Sequence, residues 1–144
     1  MSPILSIAEI RQLIADEFPG AQGFSEITKL EPNFLELRLP FQSNFLRPGG
    51  TISGPVLMTL ADTAAYYLIL AHVGPVLLAV TTSLNINFVR KPSAEDVLAD
   101  ARLLKLGKQL AVVDVHIKNA ASGVLVAQAT VTYSIPPRAT DSAT

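Results

Sequence analysis

The sequence predicts an α+β fold in which a curved antiparallel sheet wraps one long apolar helix, with an extra helix at the N-terminus. Three observations predict it. The stretch from Gly54 to about His72 has helical length, and Asp62 is the only formally charged side chain between Arg47 and Arg90. Four strand-like segments follow, at about 76–90, 95–106, 109–119 and 123–135, joined by short turns. Strands joined by short turns pair antiparallel. A helix that is apolar nearly all round must be covered on most sides, and a curved sheet supplies that cover.

The elements before the long helix are shorter. Ile4, Ile7, Ile10, Leu13 and Ile14 recur at helical spacing, with Glu9, Arg11, Gln12 and Asp16 between them. This predicts an amphipathic helix within residues 1–20, capped by Ser6 and ended by Pro19 and Gly20. Two strands are expected next, at about 22–30 and 33–39. Phe34 to Leu39 alternates cleanly, and Glu31–Asn33 reads as the turn. Residues 40–52 form a loop rich in Asn, Pro and Gly. Ser53 opens the long helix, and Gly74 with Pro75 stops it. Residues 136–144 read as a polar, proline-led, flexible tail. The 144 residues suit a single domain spanning 1–144.

Composition narrows the function classes. Hydrophobic residues make up 49% of the chain, which is apolar for so small a domain and predicts that a second subunit covers some surface. The net charge of −1, with no basic run, argues against a nucleic-acid partner. The chain has no cysteine, which excludes a disulfide framework, a thiolate metal site and a Cys nucleophile. The N-terminus lacks the pattern of a secretory signal, so a cytoplasmic location is expected. Thr63 to Val80 is uncharged and of membrane-spanning length. Gly74 and Pro75 split it, however, and it reads as buried helix then buried strand rather than a membrane segment. His72 at the helix end suits the dipole, and with His116 mid-strand forms no metal or triad pattern.

Asp62 carries the chemistry. Asp is a mediocre helix former and is rarely buried without a partner. Desolvation would raise its pKa and make it a stronger base. Either it serves a reaction, or it salt-bridges to a neighbouring strand or caps a subunit contact. The helix start is the second feature. Ser53, Gly54 and Pro55 match N-terminal preferences, with a hydroxyl cap and an early proline. First-turn N–H groups have no partner within the helix, and the dipole there favours the charge gained by a reacting carbonyl oxygen. Pro55 has no N–H, which leaves Gly54 as the donor. Ordinary capping explains the same residues. Eight residues separate Gly54 from Asp62, about 12 Å along a helix. One reacting carbon cannot touch both. Two antiparallel copies of the helix would bring Gly54 of one chain beside Asp62 of the other, in a bipartite site at a two-fold interface.

Ser53-Gly54-Pro55, then Leu60-Ala61-Asp62-Thr63-Ala64, then Leu78 to Phe88, resembles the PaaI-type acyl-CoA thioesterases of the hotdog fold. The resemblance covers roughly 34–135 and is most specific over 47–92. It implies homodimers, often paired into tetramers, with active sites between protomers, no metal and no cofactor beyond the coenzyme A of the substrate. It assigns Asp62 as general base or nucleophile, Gly54 as the carbonyl donor and Thr81 as support for the water or carboxylate. Arg90, Lys91 and Lys108 fall at turns where relatives meet coenzyme A. Met58 and Tyr66 would line the acyl groove. Ser53 stands where the family has His, and Pro55 where it has a second Gly. The family's Asn position lands on Arg47, with Asn44 three residues earlier. Either Asn44 takes that role or Arg47 binds a substrate carboxylate or phosphate. These departures leave a second reading, a non-catalytic dimer that binds acyl-CoA or another apolar ligand. Hydratase chemistry on the same fold is disfavoured, since it needs a His beside the acid.

Overall fold

The computed structural model describes residues 1–137. The expected tail lies outside the described residues from 138 onward. Helix α1 spans Ile7–Glu17, and a capping box closes its start: the Ser6 hydroxyl accepts from the Glu9 N–H, and the Glu9 carboxylate accepts from the Ser6 N–H. Ile10 and Ile14 face inward. Pro19–Ala21 makes a 3₁₀ turn, which delays the first strand. Strand β1 is Glu26–Glu31 rather than 22–30, and β2 is Phe34–Leu39. Asn33 turns between them with a positive φ of 61°. The loop expected over 40–52 holds a 3₁₀ turn, Ser43–Phe45, and a small hairpin of β3 (Leu46–Arg47) and β4 (Thr51–Ile52). Gly49 and Gly50 make its turn with φ of 102° and 77°, a region that favours glycine.

Helix α2 spans Gly54–Val73 and ends on Gly74, whose N–H donates to the Leu70 carbonyl. It is long and apolar enough to cross a membrane, but 67% of its most apolar stretch is buried inside the fold, as in a core helix. Four strands follow: β5 (Val80–Phe88), β6 (Val97–Leu106), β7 (Leu110–Asn119) and β8 (Leu125–Ser134). β5 starts four residues later than expected. Residues 76–79 form turns closed by Val76 N–H to Gly74 O and Ala79 N–H to Val76 O.

Six strands form one antiparallel sheet in the order β1-β2-β6-β7-β8-β5. Its inner face explains the helix seat. Rows such as Leu37–Ala99–Ile117–Ala127 and Leu35–Ala101–Val115–Ala129 run across the strands, all buried. The alanines let α2 approach closely, and Leu57, Leu60, Leu68, Ile69 and Leu70 fill the space. Each such buried side chain contributes roughly 1.5–3 kcal/mol.

Cover on α2 is less complete than its composition predicts. Pro55, Met58 and Thr59 are exposed, and Asp62, Thr63 and Tyr66 are half-buried. These positions recur at helical spacing and form one stripe. His72 also differs from the expected dipole partner. It is buried, its Nε2 accepts from the Asn33 N–H at 2.9 Å, and its Nδ1 lies 2.9 Å from the Leu68 carbonyl. That pattern belongs to a neutral ring clamping the β1–β2 turn.

Candidate active site

The inner-face register places Tyr133 of β8 beside Thr81 of β5 and Ala111 of β7. This row lies against the middle of α2. There Thr81 Oγ1 donates to Asp62 Oδ1 at 2.6 Å, and the Tyr133 hydroxyl donates to the same oxygen at 2.8 Å. The phenol also lies 3.2 Å from the Asp62 backbone carbonyl. Asp62 Oδ2 accepts no hydrogen bond from the described residues. Asp62 forms no salt bridge among the described residues; neutral hydroxyls hold it instead.

The tyrosines remain proton donors. Burial holds the Tyr133 phenol far above its ordinary range, with the Asp62 carboxylate adding to the effect against a bond to Thr81. Burial pushes Tyr66 up to about 12, with Tyr67 adding to it. Burial also raises Tyr67. The Tyr66 ring stacks on Tyr133 at 5.9 Å, and its hydroxyl donates to the Leu77 carbonyl at 2.9 Å.

Asp62 lines a largely apolar cavity of about 350 Å³. Thr59, Tyr66, Tyr67 and Tyr133 share it, and Ile14, Phe18 and Phe24 close it from the N-terminal side. Thr81 and Tyr66 thus meet Asp62 in one place. Sequence reading missed Tyr133, because 71 residues separate it from Asp62 and only strand register joins them. Phe18 and Phe24 were missed for the same kind of reason.

Gly54 lies elsewhere. It lines a second cavity of about 520 Å³ with Arg47, Pro55, Phe88, Arg90 and Lys91. A Cβ at Gly54 would meet the tip of the exposed Phe88 ring at 3.2 Å, so a larger residue there would have to push that ring aside. Ser53 holds the N-cap position, but its hydroxyl makes no capping bond, contrary to expectation. Its N–H donates instead to the Phe45 carbonyl, which ties the helix start to the preceding loop. Asn44 is exposed in the Ser43–Phe45 turn and lines neither cavity. Met58 is 41% exposed on the open stripe and also lines neither.

Lys108 does not join Arg90 and Lys91. It lies in the β6–β7 turn beside Leu110 and Ser134, and Ser134 pairs with Val80 at the start of β5. Arg90 and Lys91 follow the end of β5, roughly 25 Å away along an extended strand. Strand direction separates the two turns within one chain.

The sequence profile of the thioesterase superfamily matches residues 49–126, a span that includes Gly54, Asp62, Thr81, Arg90 and Lys91. The chain is 42% identical to a putative thioesterase from Silicibacter sp. TM1040, whose structure superposes with a TM-score of 0.88 over 95% of this chain and 96% of that one. It is 31% identical over 117 residues to Putative esterase of Saccharolobus solfataricus, covering 78% of this chain and 75% of that protein. The E. coli PaaI protein shares the fold at 22% identity and a TM-score of 0.77, over 91% and 96% of the two chains. The chain belongs to the thioesterase superfamily, on the hotdog fold, and the chemistry this membership supports is hydrolysis of a thioester.

Proposed function

We propose that the protein hydrolyses an acyl-CoA thioester as a homodimer, with Asp62 as general base. The observation that carries this reading is a carboxylate held by two neutral donors at an apolar cavity. Both donors bind Oδ1, which leaves Oδ2 free to take a proton from water. Water oxygen then bonds to the thioester carbon, the carbon–sulfur bond breaks, and the coenzyme A thiolate leaves and is protonated. Gly54 N–H polarises the carbonyl oxygen from the partner chain. Arg47, Arg90 and Lys91 receive the anionic coenzyme. Ser53 and Asn44 border the helix entrance. No metal takes part.

The sheet edges support a dimer. β1 carries Glu26, Lys29 and Glu31 and a register break between Ile27 and Lys29, features that protect an edge. β5 is nine residues long, with neither charge nor proline, and pairs only with β8 among the described residues. A second copy laid on β5 would cover the open stripe of α2 as well.

The test is thiol release from short, medium, long and aryl acyl-CoAs, with Asp62→Ala beside the wild type. Loss of a general base costs about 10²–10⁴-fold. Turnover that falls by that much in the variant is expected. Ligand bound without turnover by the wild type would replace hydrolysis with the binding-protein reading.

A further inference from the structure

The Asp62 cavity is built from two sources. One side comes from α2 and β8, and carries the carboxylate. The far wall comes from the N-terminal segment through Ile14, Phe18, Ala21 and Phe24. That segment lies outside the 49–126 span that matches the superfamily profile.

The wall is anchored. Ile10 and Ile14 are buried in the core. The N–H groups of Ile4 and Leu5 both donate to the Ala71 carbonyl, which fastens the segment to the end of α2. Phe24 meets Phe45 edge-on at 6.0 Å. Phe18 meets Tyr66 edge-on at 6.0 Å, and Tyr66 is itself held by Leu77 and Tyr133. A wall anchored in this way limits what fits between it and Asp62.

We infer that the N-terminal segment is the stop for the acyl group, with Phe18 as the residue that sets its reach. The cavity, about 350 Å³, sits near the low end of the roughly 300–1,000 Å³ usual for small-molecule sites. The reach is the length of acyl chain that fits between Asp62 and this wall. This inference rests on the reading of Asp62 as the reacting end of the cavity. Phe18 is 38% exposed, so its truncation removes the stop while leaving the buried core of the segment in place.

The experiment measures calorimetric binding of S-alkyl-CoA thioethers of increasing chain length, which cannot be hydrolysed, to the full chain. Each methylene that becomes buried tightens binding roughly fourfold. Wild-type affinity should climb with length and then level off. Phe18→Ala should keep climbing past that length, and Ala21→Phe, which adds a ring to the same wall, should level off earlier. A plateau at the same length in all three proteins overturns the inference, as does no binding at any length. Turnover of the matching thioesters is scored separately. Hydrolysis with an unmoved plateau removes the stop alone. A moved plateau without hydrolysis removes the catalytic reading alone.

Discussion

The middle and the start of helix α2 are built for different partners. The middle, around Asp62, is aromatic and acidic: a carboxylate with two hydroxyl donors, faced by Tyr66, Tyr67 and Phe18. The Gly54 end is basic: Arg47, Arg90 and Lys91 around a helix start whose cap hydroxyl is uncommitted. Within one chain they open into separate cavities. An acyl thioester of coenzyme A has an apolar end and an anionic end. On the proposed function the two cavities would be complementary halves of one site, joined by a second copy of the chain.

The largest expected effect comes from splitting the halves between chains. Asp62→Ala and an Arg47→Ala, Arg90→Ala, Lys91→Ala triple variant should each be nearly inactive at low acyl-CoA. Co-expressed and allowed to assemble at random, they should regain about a quarter of wild-type activity, because half the dimers are mixed and each mixed dimer holds one intact site. Activity no higher than that of either parent would place both halves in one chain. The triple variant alone should raise KM for acyl-CoA far more than for a short pantetheine thioester, and its KM should respond less to salt.

A smaller effect separates the two donors on Asp62. Tyr133→Phe removes one hydrogen bond to a charged acceptor, worth about 1.5–3 kcal/mol, so kcat should fall about tenfold or more. An unchanged kcat in this variant would make Tyr133 a packing residue only.

The smallest effect is on alkaline stability. Tyr66 rises from about 10 to about 12 on folding, and Tyr133 rises further. The folded state therefore holds these protons more tightly than the unfolded state. Their contribution is fully present below pH 10 and is lost as pH climbs toward 12 and beyond. Urea midpoints measured across that range should fall less steeply in Tyr66→Phe than in the wild type.

Much of the fold was legible because local chemistry agreed with it. The α1 cap at Ser6, the stop at Gly74 and the alternation in Phe34–Leu39 appear where pattern and turn residues put them. The errors cluster where bonds made within a turn or loop override that pattern. Residues 76–79 look like strand but close on themselves, and Ser53 looks like a side-chain cap but bonds through its backbone to Phe45. Lys108 looks like a companion of Arg90 and Lys91 until strand direction puts it at the opposite end of β5.

The sequence by itself determined that an apolar helix with one carboxylate would sit inside an antiparallel sheet, because periodicity and the isolation of a charge are properties of the chain. Only the tertiary structure decided what surrounds that carboxylate. Tyr133 reaches Asp62 from 71 residues away because β8 and β5 pair in one register, and a slip of one residue would turn its side chain to the other face of the sheet. Phe18 reaches the same cavity because α1 docks on α2 through Ile10, Ile14 and the Ala71 carbonyl. Register and docking are collective outcomes of burial, and no local run of residues encodes them.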